Sequence, residues 1–205
     1  GDRVIHRRNN YDLNVFNGDI GTIVENAHIQ RLGNFLSSFY NQSYFKISGG
    51  EASYRPVATL SYYLLYAVFD VNPFGYRLFS FALHIFNVIL VYIMAHVIIG
   101  NKRAAVMAGL LFACHPVNAE AVNGISYNED LLAAFFFFLA FLSYMRLKPS
   151  APKPGYIFFA LSLIFFLLGL LSKEMAITLP AIVVLYDVTI RAPVSKTRTL
   201  KRTLE

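Results

Sequence analysis

Apolar residues are distributed unevenly along this chain. Residues 1 to 56 hold few long apolar stretches, whereas 78 to 190 are almost continuously apolar. Four stretches in that second part, about 78–99, 130–147, 156–172 and 175–190, predict helices that cross or nearly cross a bilayer, and a shorter fifth lies at 104–115. Crossing about 30 Å of hydrocarbon takes about 20 residues at about 1.5 Å each. The shorter stretches therefore need protein partners, or polar flanks in a protein-lined cavity. Polar separators divide them: Gly100-Asn101-Lys102-Arg103, the segment from Arg146 to Gly155 with its three prolines, and Ser172-Lys173-Glu174. The pattern predicts an all-α, polytopic transmembrane helical bundle of about five membrane helices over 78–190. Residues 21–77 read as an extracytoplasmic loop with amphipathic interfacial helices, among them Val57 to Phe69, and 191–205 as a basic cytoplasmic tail. Residues 1–20 differ in character: Val4-Ile5 and Leu13-Asn14-Val15-Phe16 are strand-like, and Asn17-Gly18 is a turn signal.

Composition agrees with a membrane solvent. Hydrophobic residues make up 56% and charged ones 15%, against about 45–50% and about 25% in soluble domains. Mean hydropathy is +0.49. The single cysteine, Cys114, excludes an intrachain disulfide and leaves too few thiols for a cysteine zinc site. No cluster has metal-ligand spacing, and no cofactor is expected.

The net charge of +6 matters mainly through its placement. Lys102 and Arg103 follow the first crossing, Arg146, Lys148 and Lys153 follow the third, and Arg191, Lys196, Arg198, Lys201 and Arg202 lie in the tail. The loops between, 116–129 and 172–174, hold only Lys173. Cytoplasmic loops collect such residues, so the carboxy terminus is expected in the cytoplasm and residues 1 to about 77 outside. An extracytoplasmic amino-terminal segment needs a signal peptide or an earlier spanning helix. Residues 1 to 24 contain neither, which leads to the expectation of a missing or replaced upstream helix. Ten of the eighteen cations are explained by this topology, and no G-x-x-x-x-G-K motif occurs. Nucleic acid is therefore not an expected partner.

On that topology Asp19, Glu25, Glu51, Asp70, Glu120, Glu129, Asp130 and Glu174 collect on the outer side, while Asp187 is an inner acid. Ionisable groups at membrane depth are functional candidates by default. His115 and Glu120 interrupt an apolar stretch and read either as functional groups or as a helix end facing water. Arg55 either clamps a phosphate through its planar fork or snorkels to headgroups, and the residues alone favour the second. Lys173 either meets a phosphate or pairs with Glu174 or Glu129. His84 and His96, on an apolar helix, read more readily as interhelical hydrogen-bonders than as ligands. Phe135 to Phe138 reads as a packing or lipid-facing run.

Several words occur in a shared order: Asp19-Ile-Gly-Thr-Ile23-Val-Glu-Asn26, Ser53-Tyr-Arg-Pro56, Asn72-Pro-Phe-Gly-Tyr76 leading to His84, Phe112-Ala-Cys-His-Pro-Val-Asn-Ala-Glu-Ala-Val122, Glu129-Asp-Leu-Leu132, Leu171-Ser-Lys-Glu174 and Leu185-Tyr-Asp187. In these words, from about 19 to 190, the chain resembles polytopic GT-C glycosyltransferases, most closely bacterial relatives of the transmembrane and tetratricopeptide-repeat O-mannosyltransferases. The resemblance implies a multi-pass enzyme, in a bacterial inner membrane, that takes a sugar from a polyprenyl-phosphate carrier on the outer face. It passes the sugar to a protein or glycan acceptor of unspecified identity. Such enzymes carry a pair of acids after the first transmembrane helix, one of them the catalytic base. That pair maps onto Gly18-Asp19, so Asp19 is the expected base. Asn128 stands where relatives often have arginine. The charge and side of Arg55, His115 and Lys173 suggest contacts to the carrier phosphate, with Glu120, Asp130 and Glu174 shaping the outer cavity.

Residues 1–21 instead resemble a short carboxy-terminal piece of RecD-like DNA helicases, so a fusion that replaced the first helix is expected. Residues 1–20 are too few to form a domain or an ATP site. No 34-residue repeat appears. The alternative from another functional class is a non-catalytic membrane scaffold or inactive fragment, with outer polar groups that serve helix packing only.

Overall fold

The computed structural model describes residues 32–35, 55–124, 127–147 and 154–191; among these the chain is helical, with no strand. Asp19, the helicase-like residues 1–20, Glu25, Glu51, Lys148, Lys153 and the tail after Arg191 lie outside the described residues. The helices are α1 (Pro56–Phe69), α2 (Pro73–Ile99), α3 (Lys102–Cys114), α4 (Val117–Asn123), α5 (Asn128–Met145), α6 (Pro154–Ser172) and α7 (Leu179–Tyr186). A 3-10 turn (Glu174–Thr178) precedes α7 and a π turn (Asp187–Arg191) follows it.

Local sequence sets the helix ends. Pro56 and Pro73 open α1 and α2, where a missing N–H costs nothing. The Asn72 side chain accepts from the Phe74 N–H at 3.0 Å, and Asn101 accepts from Arg103 and Ala104 at 2.9 and 3.4 Å. Gly100 ends α2 with φ +72°, a conformation that glycine adopts at no steric cost.

α2, α5 and residues 155–172 of α6 are long and apolar enough to cross a membrane. The pair α3 and α4 is bent by 60° and makes a fourth crossing if taken as one span. The bend falls at His115-Pro116, where His115 is extended, as the proline ring after it requires. The expected count of five is therefore corrected to three or four among the described residues. The stretch expected at 175–190 is helical, but it winds in three ways and its α-helical part has eight residues. Pro180 accounts for the 3-10 part: it has no N–H to give to the Ala176 carbonyl, which accepts from Leu179 instead in the tighter geometry.

α5 is the central helix: 39% of its span is buried within the protein, against 22% for α2 and 17% for α6. Its phenylalanine run supplies much of the packing. Phe135 meets Phe86 of α2, Phe138 meets Phe112 of α3, and Phe136 stacks on Phe165 of α6. Ala58, Leu83, Leu131 and Leu132 join α1, α2 and α5, and Ala140, Phe141 and Leu179 join α5 to α7.

Buried polar side chains align on one stripe of α2. Ser80 donates to Asn128 Oδ1 at 2.5 Å, and Asn87 donates to the Leu131 carbonyl at 3.0 Å. His84 Nε2 lies 3.3 Å from the Ala113 carbonyl of α3, the interhelical role expected for it. His96 stacks on Tyr92 within its own helix. Asn128 is fully buried in this contact and serves helix packing.

Candidate functional site

Five charged side chains from three parts of the chain converge at the start of α5. Arg55 is the N-cap residue of α1, held outside the helical region by the proline that follows it. Glu129 and Asp130 occupy the first turn of α5, where exposed backbone N–H groups favour carboxylates. Lys173 is extended between α6 and the 3-10 turn, and Glu174 opens that turn. The turn packs closely on α6: a Cβ at Gly169 would lie 3.2 Å from the Ala176 Cβ.

The cations are shared among the acids. One guanidinium nitrogen of Arg55 pairs with Glu129, and the other lies 3.1 and 3.3 Å from the two Glu174 oxygens. The Lys173 ammonium is 2.6 Å from Asp130 and 3.6 Å from Glu129. Two cations thus face three carboxylates. The arrangement has an inner and an outer half: the side chains of Arg55 and Glu129 are 13% and 15% exposed, whereas that of Glu174 is 71% exposed. Burial alone would lower the Lys173 pKa, but the hydrogen bond and charge of Asp130, with the charge of Glu129, hold it above the usual lysine value. The Glu174 carboxyl is held below its usual range, first by its own backbone N–H and then by Arg55.

Arg55, Asp130, Lys173 and Glu174, each singled out in the sequence, are thus brought together. His115 and Glu120 are exposed at the α3–α4 bend and the following helix, and no hydrogen bond or ion pair among the described residues joins them to the cluster. The His115 ring accepts from the Val117 N–H at 3.2 Å, the contact of a helix-start residue. Glu129 is the member that sequence reasoning underrated, as an outer acid and one partner of Lys173. Its signal was the adjacent acid pair Glu129-Asp130 opening a long apolar helix. Among the described residues no group of His, Cys, Asp and Glu could hold a metal ion.

A second polar contact lies at the opposite end of α5. Tyr144 donates to Asp187 at 2.5 Å. Arg191 lies 3.4 Å from Asp187, donates to the Leu147 carbonyl and sits over the Tyr144 ring. Glu129, Asp130 and Glu174 therefore share one end of the bundle, and Asp187 lies at the other.

Comparison with known proteins places the sequence in a family. Residues 54–203 match the family model for dolichyl-phosphate-mannose-protein mannosyltransferase. Protein O-mannosyl-transferase TMTC3 of Homo sapiens is 32% identical over 177 residues, covering 84% of this chain and 19% of the relative. Protein O-mannosyl-transferase Tmtc2 of Drosophila melanogaster is 36% identical over 145 residues, 69% of this chain and 16% of the relative. Protein O-mannosyl-transferase TMTC2 of Homo sapiens is 38% identical over 111 residues, 53% of this chain and 13% of the relative. The chain thus spans about a fifth or less of the length of these relatives. No solved structure matches it. With three-quarters of its length within the family model, and an all-helical membrane bundle to match, the chain belongs to the dolichyl-phosphate-mannose-protein mannosyltransferase family.

Proposed function

We propose that this chain is part of a membrane glycosyltransferase that moves a sugar from a polyprenyl-phosphate carrier to an acceptor hydroxyl on the extracytoplasmic face. The observation that carries the reading is the meeting of Arg55 and Lys173 at one end of the bundle, opposite the end that holds Asp187 and Arg191. In the proposed step an acceptor hydroxyl attacks the anomeric carbon and forms the new glycosidic bond, while the bond from that carbon to the carrier phosphate breaks. A carboxylate removes the hydroxyl proton, and Asp19 fills that role by its place in the family motif. The electron pair leaves with the phosphate, and fixed cations such as Arg55 and Lys173 stabilise the charge that develops there. Asp130 and Glu174 hold those cations in place. His115 and Glu120 belong to the same outer end and are proposed to border the carrier rather than to join the ion cluster. The proposed location is a bacterial inner membrane with a cytoplasmic carboxy terminus.

The test is transfer of sugar from a polyprenyl-phosphate donor by a full-length enzyme that carries these residues. Asp19→Asn is expected to lower the rate about 100-fold, the scale of a lost general base. Unchanged turnover would remove Asp19 from the mechanism.

One observation favours a second reading, a non-catalytic scaffold. Each cation already has carboxylate partners, so the cluster can serve as a clasp among α1, α5 and the α6–α7 connection. A scaffold would bind no polyprenyl phosphate and would be indifferent in that assay to Arg55→Gln or Lys173→Gln.

A further inference from the structure

The five charges are not equally replaceable. Glu129 reaches Arg55 from the first turn of the central helix, and both side chains are largely enclosed. Asp130 and Lys173 are 2.6 Å apart. Glu174 differs: its side chain is the most exposed of the five, it sits on a short 3-10 turn, and it contacts only one nitrogen of Arg55, at 3.1 and 3.3 Å. A carboxylate that stays largely in water is held by only a weak, exposed ion pair and is readily hydrated when it lets go. The Glu174 carboxylate therefore occupies the solvent-facing edge of Arg55, beside Lys173 in the chain.

We infer that Glu174 is a displaceable counter-ion: an incoming phosphate takes its place on Arg55 Nη2 while Glu129 keeps its hold on the other nitrogen. The inference rests on the transferase reading and adds to it an exchange of one anion for another. A phosphate oxygen accepts the same N–H that Glu174 accepts, and its other oxygens are free to meet the Lys173 ammonium. The site then binds an anion without exposing an uncompensated buried cation before the ligand arrives. The exchange also favours phosphate groups over neutral headgroups, since a neutral group offers Arg55 no charge to replace the one that leaves.

The test uses the full chain in phosphatidylcholine nanodiscs, with a polyprenyl monophosphate and inorganic phosphate as separate probes. Glu174→Gln weakens the competing contact and is expected to tighten polyprenyl phosphate binding about fivefold, the scale of an exposed ion pair. Adding Arg55→Gln should abolish that gain; Arg55→Lys, which keeps the charge without the fork, should reduce it if the Gln variant is poorly folded. Asp70→Asn, an exposed acid outside the cluster, is the control for general surface charge. Equal or weaker binding of both probes by E174Q, or an equal gain in D70N, would overturn the exchange while leaving the transferase reading in place. Absence of polyprenyl phosphate binding by both the wild type and E174Q, with inorganic phosphate binding also unchanged by E174Q, would instead remove the carrier reading and the exchange with it. A gain confined to inorganic phosphate would support the exchange and assign the site to a soluble anion.

Discussion

Replacing Glu129 with Gln removes the carboxylate that Arg55 and Lys173 share and leaves the shape of the side chain almost unchanged. Breaking one partner out of a buried ion pair costs about 3–5 kcal/mol, because the remaining charge stays desolvated. The full figure does not apply here. Both side chains keep some contact with solvent, Arg55 retains Glu174, and Lys173 retains Asp130. A loss of about 2 kcal/mol follows, roughly 30-fold in the folding equilibrium. Glu174→Gln, at the exposed edge, should cost no more than about 1 kcal/mol. The chain has no tryptophan, so unfolding by added SDS in mixed micelles is best followed by circular dichroism or by proteolysis of the unfolded fraction. The double variant R55Q/E129Q should be less destabilised than the sum of its single variants, because it no longer strands a charge. If E129Q and E174Q prove equally stable within about 0.3 kcal/mol, or the double variant is simply additive, the division into an inner and an outer half is wrong.

Three further expectations concern pH, packing and sidedness. The folded pKa of Glu174 lies below 4.5, so its contribution is present above pH 4.5 and is lost as pH falls through that lower value; Lys173 lies above 10.5, so its contribution is present below pH 10.5 and is lost as pH rises through the higher one. E174Q should therefore reduce the acid-side fall in thermal midpoint more than the alkaline one, and an unchanged acid-side fall in that variant would refute the assignment. Gly169→Leu should destabilise the protein by about 2 kcal/mol or more, the scale of core overpacking, since even a Cβ there would lie 3.2 Å from Ala176 and 3.6 Å from Phe136; a stability equal to wild type would show that α6 and the 3-10 turn can separate freely. In a Cys114→Ser background, cysteines at Glu120 and Arg146 should react with membrane-impermeant maleimide from opposite sides of a sealed vesicle. Reaction from the same side would defeat the topology on which the transfer step depends.

Much of the helical frame was legible because the apolar runs are long and their breaks are chemically explicit. Pro73, Gly100-Asn101 and Pro154 each punctuate a helix for a reason visible in one residue type. The break in the last stretch was not legible, because hydropathy does not register a missing N–H at Pro180. The cluster was half legible. Charge and sidedness selected Arg55, Asp130, Lys173 and Glu174, but sequence spacing carries no information on which acid of an adjacent pair faces inward. Helix orientation decided that, and gave Glu129 to Arg55 and Asp130 chiefly to Lys173. His115 looked equally promising as an ionisable group in an apolar run. The proline after it turns the chain there, and its ring faces outward.

The stripe of Ser80, His84 and Asn87 works as an alignment key between helices whose greasy surfaces would otherwise tolerate many offsets. In hydrocarbon, apolar side chains give little preference for one vertical position over another, whereas a polar group finds its mate at one height only. Sliding α2 by one turn would carry Ser80 past Asn128 and Asn87 past the Leu131 carbonyl together, so both bonds fail at once. The elevation of the α5 amino terminus against α2 is pinned from within the bundle. The charged rim therefore keeps its offset from α2 as the thickness of the surrounding lipid varies.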